Sequence, residues 1–484
     1  MTHPILRPLA ALTFAGLVFL ALHAVVRGEL PTVTAVLETR PSFGDDAGGN
    51  ADADDPAIWV DPKDPTRSFV VATLKEGGLD VYDLSGSLVQ HIAPEAAPPG
   101  MALNSARYNN VDLIYGFKLK NQKVDLAVVS DRYNDMIRVF AIDPTALATG
   151  GDPLTEITAP GQPWIFVDTE EELEEANTAY GLAVTQTDPD GKHAFAFVSR
   201  SAFTSVAKLR LFATTGGRVG YEVLETFDLP EVFNLPSGGT WNACHDDDGE
   251  LSQVEGMVVD DYSGILYLGQ EQVGWWATSV SKPSTNLELV DRVREFGVPY
   301  SRVFDEEEEE FACEFDFSRD PGLGSPYLTA DVEGLTIYKS GPGTGYLLVS
   351  SQGLDEFLVY DRKTLEHIGN FSIGDGVVDS GQESDGMHVV NVNLGGEFTQ
   401  GLLVAQDGGN TPNMLDEEGE ERDNTNFKFV RWADLARAMG STSTPRTGCG
   451  SGSSNGRVAS CQRQRRRLEC RAWLLRACSG SFSR

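Results

Sequence analysis

Cations are scarce in this chain: 38 Lys and Arg stand against 72 Asp and Glu, a formal charge of −34 over 484 residues. The stretch from Ser441 onward carries nine Arg against one Glu, and residues 1–28 carry two Arg. The body between them therefore stands at −44. Such a body excludes nucleic-acid binding by phosphate neutralisation. It can hold a polyanion only if cations screen the repulsion. Cysteine is also rare, with four of six in the last 44 residues and only Cys244 and Cys313 in the body. Those two either pair to staple an insertion or stay as separate thiols, since sequence does not establish proximity. The seven His are scattered, His245-Asp246 stands alone and there is no Arg-His-Gly-x-Arg motif, which speaks against histidine-based phosphate chemistry. Cys461 and Arg467 match the spacing of a cysteine phosphatase loop, but no His precedes the Cys and no strand-to-helix context surrounds it.

Long apolar runs are missing too, apart from Leu9 to Val26. With Arg7 before it and Gly28 after it, that run reads as a secretory leader over residues 1–28, with a cut after Ala24 as an alternative. At 18 residues it also approaches the shortest membrane span, so an uncleaved anchor is the competing reading. The expectation is a secreted, periplasmic or cell-surface protein with no membrane segment in its mature form.

What the chain does have is a repeated unit. Asp52 to Trp59 reads Asp-Ala-Asp-Asp-Pro-Ala-Ile-Trp, three carboxylates before a short apolar strand. Close carboxylates repel unless a cation is shared between them. Counterparts follow at Asn110-Val111-Asp112-Leu113-Ile114, Tyr180-Gly181-Leu182-Ala183-Val184 and Glu255-Gly256-Met257-Val258-Val259. Glu333-Gly334-Leu335-Thr336-Ile337 and Asp385-Gly386-Met387-His388-Val389 complete six, at intervals of 55, 70, 75, 78 and 52 residues. Each unit continues with a second apolar run, closing at Lys75, Arg132, Arg200, Glu271, Gln352 and Asp407, and third and fourth runs follow in most.

Short β-branched and aromatic runs between Gly and Asp turns indicate antiparallel hairpins. Six such units predict an all-β fold, a six-bladed β-propeller of four-stranded antiparallel blades over residues 29–440. Unit six is one strand short, so Thr32 to Glu38 is expected to complete it and close the ring. In a meander the start of the first strand and the end of the second share one edge. Asp55, Asn110, Tyr180, Glu255, Glu333 and Asp385 should therefore converge at one mouth of the channel. Lys75, Arg132, Arg200, Glu271, Gln352 and Asp407 should ring them. A mouth half cationic and half carboxylate suits a polyanion bound with the help of divalent cations.

Other segments read more simply. Asp168 to Glu175 is expected to be a loop or one helical turn. Lys282 to Pro326 is the longest excursion and contains Glu306 to Glu310, a solvated acidic run. Gly374 to Gly386 carries Asp375, Asp379, Glu383 and Asp385 and ends on the axial position of unit six. Residues 441–484 form a basic Ser/Gly/Arg/Cys-rich tail without strand periodicity, expected to be disordered, a sorting segment or the product of an altered reading frame.

These motifs also resemble those of the bacterial β-propeller phytases. The resemblance is carried by Asp54-Asp55-Pro56-Ala57-Ile58-Trp59, Lys75 with Gly78-Leu79 and Val81-Tyr82, and Asn109-Asn110-Val111-Asp112. Tyr180-Gly181, Glu255-Gly256, Leu328 to Tyr338, Ser350 to Gly353, Ser384-Asp385-Gly386, Val404 to Gly408, Asn426-Phe427-Lys428 and Trp432 continue it, over roughly residues 50–440. It implies a calcium-dependent phosphomonoesterase of the 3-phytase type acting on phytate, myo-inositol hexakisphosphate. In that family several Ca²⁺ ions fill the mouth, a metal-bound water attacks phosphorus and no phosphoenzyme forms. Carried over by motif, Asp55, Tyr180, Glu255, Asp331, Glu333 and Asp385 would be Ca²⁺ ligands, and Lys75, Arg132 and Arg200 phosphate clamps. Glu271 would be a further acidic contributor, and Asp54, Asp112, Asp379 and Asp407 additional ligands or their supports; axial Asn110 stands with the ligands. Arg200 stands where some members have Lys, and Gln270 where some have a second glutamate. The implied partner is phytate, with the protein acting as a monomer. Two alternatives share the architecture: a calcium-binding propeller lactonase or phosphodiesterase, and a non-catalytic propeller whose calcium only holds the blades.

Overall fold

The computed structural model describes residues 30–44, 52–96, 106–186, 191–245, 249–304, 311–415, 419 and 421–440. The leader, the Glu306 to Glu310 run and the basic tail lie outside the described residues. Six antiparallel sheets follow one another along the chain as the blades of a propeller, with inner strands Pro56–Trp59, Tyr108–Leu119, Ala179–Thr185, Val254–Asp260, Val332–Gly341 and Met387–Val390. Blades one to four are simple meanders of four strands, as the repeat predicts.

The core lies between the blades, because each sheet has two apolar faces to cover. Five buried apolar clusters fill the joints between blades one and two, two and three, three to five, five and six, and six and one. Trp432 opens the helix Trp432–Ala438 and stacks on Tyr338 of blade five, ring centroids 3.6 Å apart. No helix among the described residues is long and apolar enough to cross a membrane.

Ring closure differs from the expectation in one respect. Leu37–Glu38 does form the outer strand of blade six, pairing antiparallel with Phe429 and Lys428. Thr32–Thr34 instead pairs parallel with Ser372, Ile373 and Gly374 at the outer edge of blade five. The N-terminal segment thus covers the open edges of two neighbouring blades, which satisfies backbone groups on both.

The stretch from Lys282 to Pro326 also contains more order than an excursion. Glu288–Arg292 is the outer strand of blade four, hidden from the sequence pattern because its residues are half-exposed and mixed in polarity. Tyr300–Phe304 and Phe311–Phe315 form a separate hairpin. Cys313 on that hairpin is disulfide-bonded to Cys244, closing the choice left open by sequence. Residues Glu170–Glu174 make a single helical turn, capped by the reciprocal bonds of Thr169 and Glu172.

Candidate metal and phosphate site at the channel mouth

Four inner strands begin with a bulge, where the register slips between Tyr108 and Val111, Ala179 and Leu182, Val254 and Met257, and Val332 and Leu335. A bulge re-aims the side chain it displaces. The residues displaced in three of them, Tyr180, Glu255 and Glu333, meet. The Tyr180 hydroxyl donates to the Glu255 carboxylate. Glu255, Glu271 and Glu333 offer oxygens that all lie within 4.8 Å of one another, and all three residues are buried.

Glycine permits the approach. A Cβ on Gly181 would lie 2.1 Å from the Glu255 carbonyl oxygen, and one on Gly256 would lie 2.0 Å from that of Glu333. At Gly386 it would meet Asp55 Oδ1 at 2.5 Å. The X-Gly dipeptides of the repeat therefore place one acidic or phenolic side chain at the mouth and a bare backbone against the next blade.

Polar side chains on the second strands satisfy the disrupted ladder. Thr73, Ser130 and Ser199 hydroxyls accept from Asp55, Asn110 and Gly181 N–H groups at 2.9, 3.0 and 2.8 Å. Thr73 and Ser199 also donate to carbonyls of the following blade, as Ser350 does to Ser384 O at 2.8 Å. In blade six Gln406 does both, accepting from Asp385 N at 2.7 Å and donating to Ala53 O at 3.2 Å. Sequence reasoning missed these groups; their signal was a hydroxyl or amide one or two residues before each rim position.

Burial is the leading cause that holds Glu333, Glu271, Asp54 and Asp55 well above the ordinary carboxylate range, with neighbouring carboxylates adding to it. Asp385 is pushed up to about 6 by burial, against the pull of Lys75. Tyr180 is pushed up by burial and by Glu255, Glu271, Glu333 and Asp54. Asp331 joins the cluster through Gln272, whose amide donates to Asp331 Oδ1 at 2.8 Å and to Glu271 Oε2 at 3.3 Å. Asn109 donates to Asp54 at 3.0 Å, and Gln352 to Asp385 at 2.8 Å.

The rim cations flank this cluster. Lys75 Nζ lies 3.5 Å from Asp385 Oδ2. Burial alone would lower its pKa, but Asp385 and Asp54 reverse that and keep it protonated. Arg132 donates from Nε to Ala176 O at 2.8 Å and lies 5.6 Å over the Tyr180 ring. Arg200 donates from Nε to Asn177 O at 2.8 Å and stacks on Phe203 at 4.1 Å. In both arginines a backbone carbonyl fixes the Nε side of the guanidinium fork.

Other predicted positions line the channel or meet Lys428. Asp55 and Asp112 line a cavity within the channel together with Asn110 and His388. Asp55 accepts from Val111 N at 3.0 Å and Asp112 from Val184 N at 2.8 Å, so each clips its inner strand to the next blade. His388 completes the pattern by accepting from Ile58 N at 2.8 Å. Asp379 and Asp407 gather around the buried ammonium of Lys428, which also meets Glu38. These two carboxylates serve a cation that the chain supplies itself. Arg107, Glu76 and Tyr133, none of them picked out from the sequence, stand beside Lys75 and Arg132.

The residues at the mouth, with Asn110 in the adjoining channel, fit a hard divalent cation. Their donors are all oxygens, and Glu271 Oε1, Glu333 Oε2, Asp54 Oδ1, Asn109 Oδ1 and Asn110 Oδ1 are buried without a hydrogen-bond partner. Buried carboxylate oxygens left unpaired are costly in the absence of a cation, and oxygen-only sets of this kind suit calcium.

A family model described as Phytase matches residues 6–201 and 320–445. The 3-phytase of Bacillus subtilis (strain 168) is 32% identical over 416 residues, 84% of this chain and 85% of that protein. Crystal structures of BBS1N in complex with ARL6DN, soaked with lead or mercury, superpose with a TM-score of 0.35 and 11% identity over 77% and 82% of this chain, and 77% and 80% of theirs. That likeness is too loose to bear on fold or function.

Proposed function

The chain belongs to the phytase family of phosphatase hydrolases, and from that premise we propose that it removes phosphate from phytate at the channel mouth in a calcium-dependent reaction. The observation that carries the reading is the buried Glu255, Glu271 and Glu333 cluster with Lys75, Arg132 and Arg200 on the same rim. Glu255, Glu271, Glu333, Asp331, Asp385 and Asp54 would hold the calcium. The chemistry calcium supplies when bound is neutralisation of phosphate oxygens and acidification of water beside phosphorus.

The chain's own groups do the rest. Lys75, Arg132 and Arg200 present N–H donors to the equatorial oxygens, where charge builds as the ester bond breaks. Anchoring each arginine through Nε leaves its outer donors toward substrate, so little ordering is needed when phosphate arrives. Tyr180, hydrogen-bonded to Glu255, orients that carboxylate and keeps its own proton. No side-chain nucleophile is required.

Export from the cytoplasm is part of the proposal. The Cys244–Cys313 disulfide supports an oxidising compartment, and the apolar run at Leu9 to Val26 supports a route to it. A monomer suffices, because all of these side chains come from one ring. The test is phosphate release from phytate with and without a calcium chelator, beside a simple aryl phosphate. Strong chelator-sensitive preference for phytate supports the reading, and hydrolysis of neither ester would sink it.

A further inference from the structure

Gln272 stands in the turn after the second strand of blade four, one residue past Glu271. Its side-chain amide donates to Asp331 Oδ1 at 2.8 Å and to Glu271 Oε2 at 3.3 Å. The other end of the same amide is fixed as well. The Ser252 hydroxyl accepts from Gln272 N at 3.1 Å and donates to Gln272 Oε1 at 3.0 Å. With the carbonyl oxygen turned to Ser252, the NH2 group must face the two carboxylates.

Ser252 is wholly buried and held at its N–H, its carbonyl and its hydroxyl. The N–H donates to Glu231 Oε2 at 3.2 Å, and the carbonyl accepts from Gln270 Nε2 at 3.1 Å. Glu231 Oε1 in turn meets His245 Nε2 at 2.9 Å, and His245 follows disulfide-bonded Cys244. A continuous set of hydrogen bonds thus runs from the stapled segment, through Glu231, Ser252 and Gln272, to the acidic cluster.

Glu271 and Asp331 repel each other. Burial, and after it Asp331 and Glu255, push the Glu271 pKa up, and the bond from Gln272 is among those that pull the other way. Gln272 carries no charge, so it bridges the pair without neutralising either member. Its amide occupies Glu271 Oε2, while Oε1 is buried without a hydrogen-bond partner. That is the arrangement a cation completes: two like charges held in place with their charge intact. We propose that Gln272 is a positioning residue that sets the gap between Glu271 and Asp331 for a divalent cation, with Ser252, held by Glu231, fixing the orientation of its amide. The proposal rests on the calcium reading above.

The test titrates metal-depleted wild type, Gln272→Leu, Ser252→Ala and the double variant with calcium by calorimetry. The Tm in chelator and the calcium dependence of phosphate release from phytate are recorded beside it. Gln272→Leu should weaken calcium binding about tenfold or more, the usual loss when a group supporting a metal ligand is removed. Ser252→Ala should weaken it by less, and the double variant should bind no more weakly than Gln272→Leu, because the hydroxyl acts through the amide. The calcium needed for half-maximal phosphate release should rise in the same order. A merely structural contact would lower the Tm in chelator and leave the calcium titration where it was, and that result overturns the proposal. Losses that add in the double variant would also overturn it. If Gln272→Leu does not fold, Ser252→Ala decides the matter: weaker calcium binding supports the proposal and unchanged binding overturns it. A wild type that binds calcium but releases no phosphate from phytate sinks the phytate reading alone, and the titrations still decide Gln272. A wild type that takes up no calcium sinks both.

Discussion

Gly256 sits so close to Glu333 that a Cβ on the glycine would lie 2.0 Å from the glutamate's carbonyl oxygen. The contact joins blades four and five at the point where both contribute a carboxylate to the mouth. Two strands can bring Glu255 and Glu333 together only because one of them has no side chain at the crossing.

Gly256→Ala should therefore force the strands apart. We expect a loss of about 2 kcal/mol or more in urea unfolding, in the range of overpacking and backbone strain. Activity should fall with it, since the carboxylates separate. Gly216→Ala, where the nearest heavy atom is an ordinary contact at 3.8 Å, is the control and should be close to neutral.

Glu333→Gln removes one of three crowded charges and separates metal binding from folding. Burial, then Glu255 and Glu271, raise the Glu333 pKa in the folded protein. A raised carboxylate contributes stability below its unfolded pKa and loses it as pH rises through the folded value. The metal-free protein should thus weaken as pH rises, and Glu333→Gln should weaken less. Differential scanning calorimetry in chelator should show the variant above wild type at alkaline pH, and calcium should lift its Tm less. Full phytate hydrolysis by this variant would remove Glu333 from the site.

Lys75→Ala should act on turnover. Losing a donor to the charge that develops in the transition state costs about 10²-fold in kcat. The calcium-induced rise in Tm should be preserved, because Lys75 is a cation and no ligand. A selective loss of calcium affinity with normal turnover would contradict its clamp role.

His388 gives a pH signature of opposite sign. Burial lowers its pKa to about 4, and its Nδ1 accepts from Ile58 N, a bond that needs the neutral ring. The unfolded chain takes up a proton near pH 6.5 that the folded one refuses, so stability is lost as pH falls from about 6.5 to about 4. A pH series of urea midpoints should show a flatter acid limb for His388→Gln than for wild type. Parallel curves would refute the assignment.

Lys428 tests how the ring is closed. It lies at the meeting of Glu38, Asp379 and Asp407, its ammonium wholly buried. Lys428→Met should strand those carboxylates and destabilise the fold by about 3–5 kcal/mol, as removal of one partner of a buried ion pair does. A change below 1 kcal/mol in denaturant unfolding would mean that the N-terminal strand is held by its backbone bonds alone.

Much of the mouth was legible before any coordinates. The residue before each inner strand and the residue after each second strand are read from local alternation, and antiparallel pairing then puts both at one edge: Ala179 faces Arg200, and Val254 faces Gln270. Tyr180, Glu255, Glu333 and Lys75 were placed at the mouth that way because that place follows from position along a strand. Asp379 and Asp407 were equally acidic and equally near the mouth in sequence, but Lys428 claims them. Arg107 gave no local signal, since its partners Glu76 and Arg132, and Tyr133 beside them, are brought to it from other turns.

By itself the amino-acid order determined the blade count, the strand polarity and the chemical types around the channel, because period-2 alternation and X-Gly dipeptides act over a few residues. Tertiary structure alone decided which carboxylates share a mouth, that Cys244 reaches Cys313 and that the first strands span two blades. Those outcomes depend on groups tens to hundreds of residues apart, whose meeting is set by closure of the whole ring and by no local propensity.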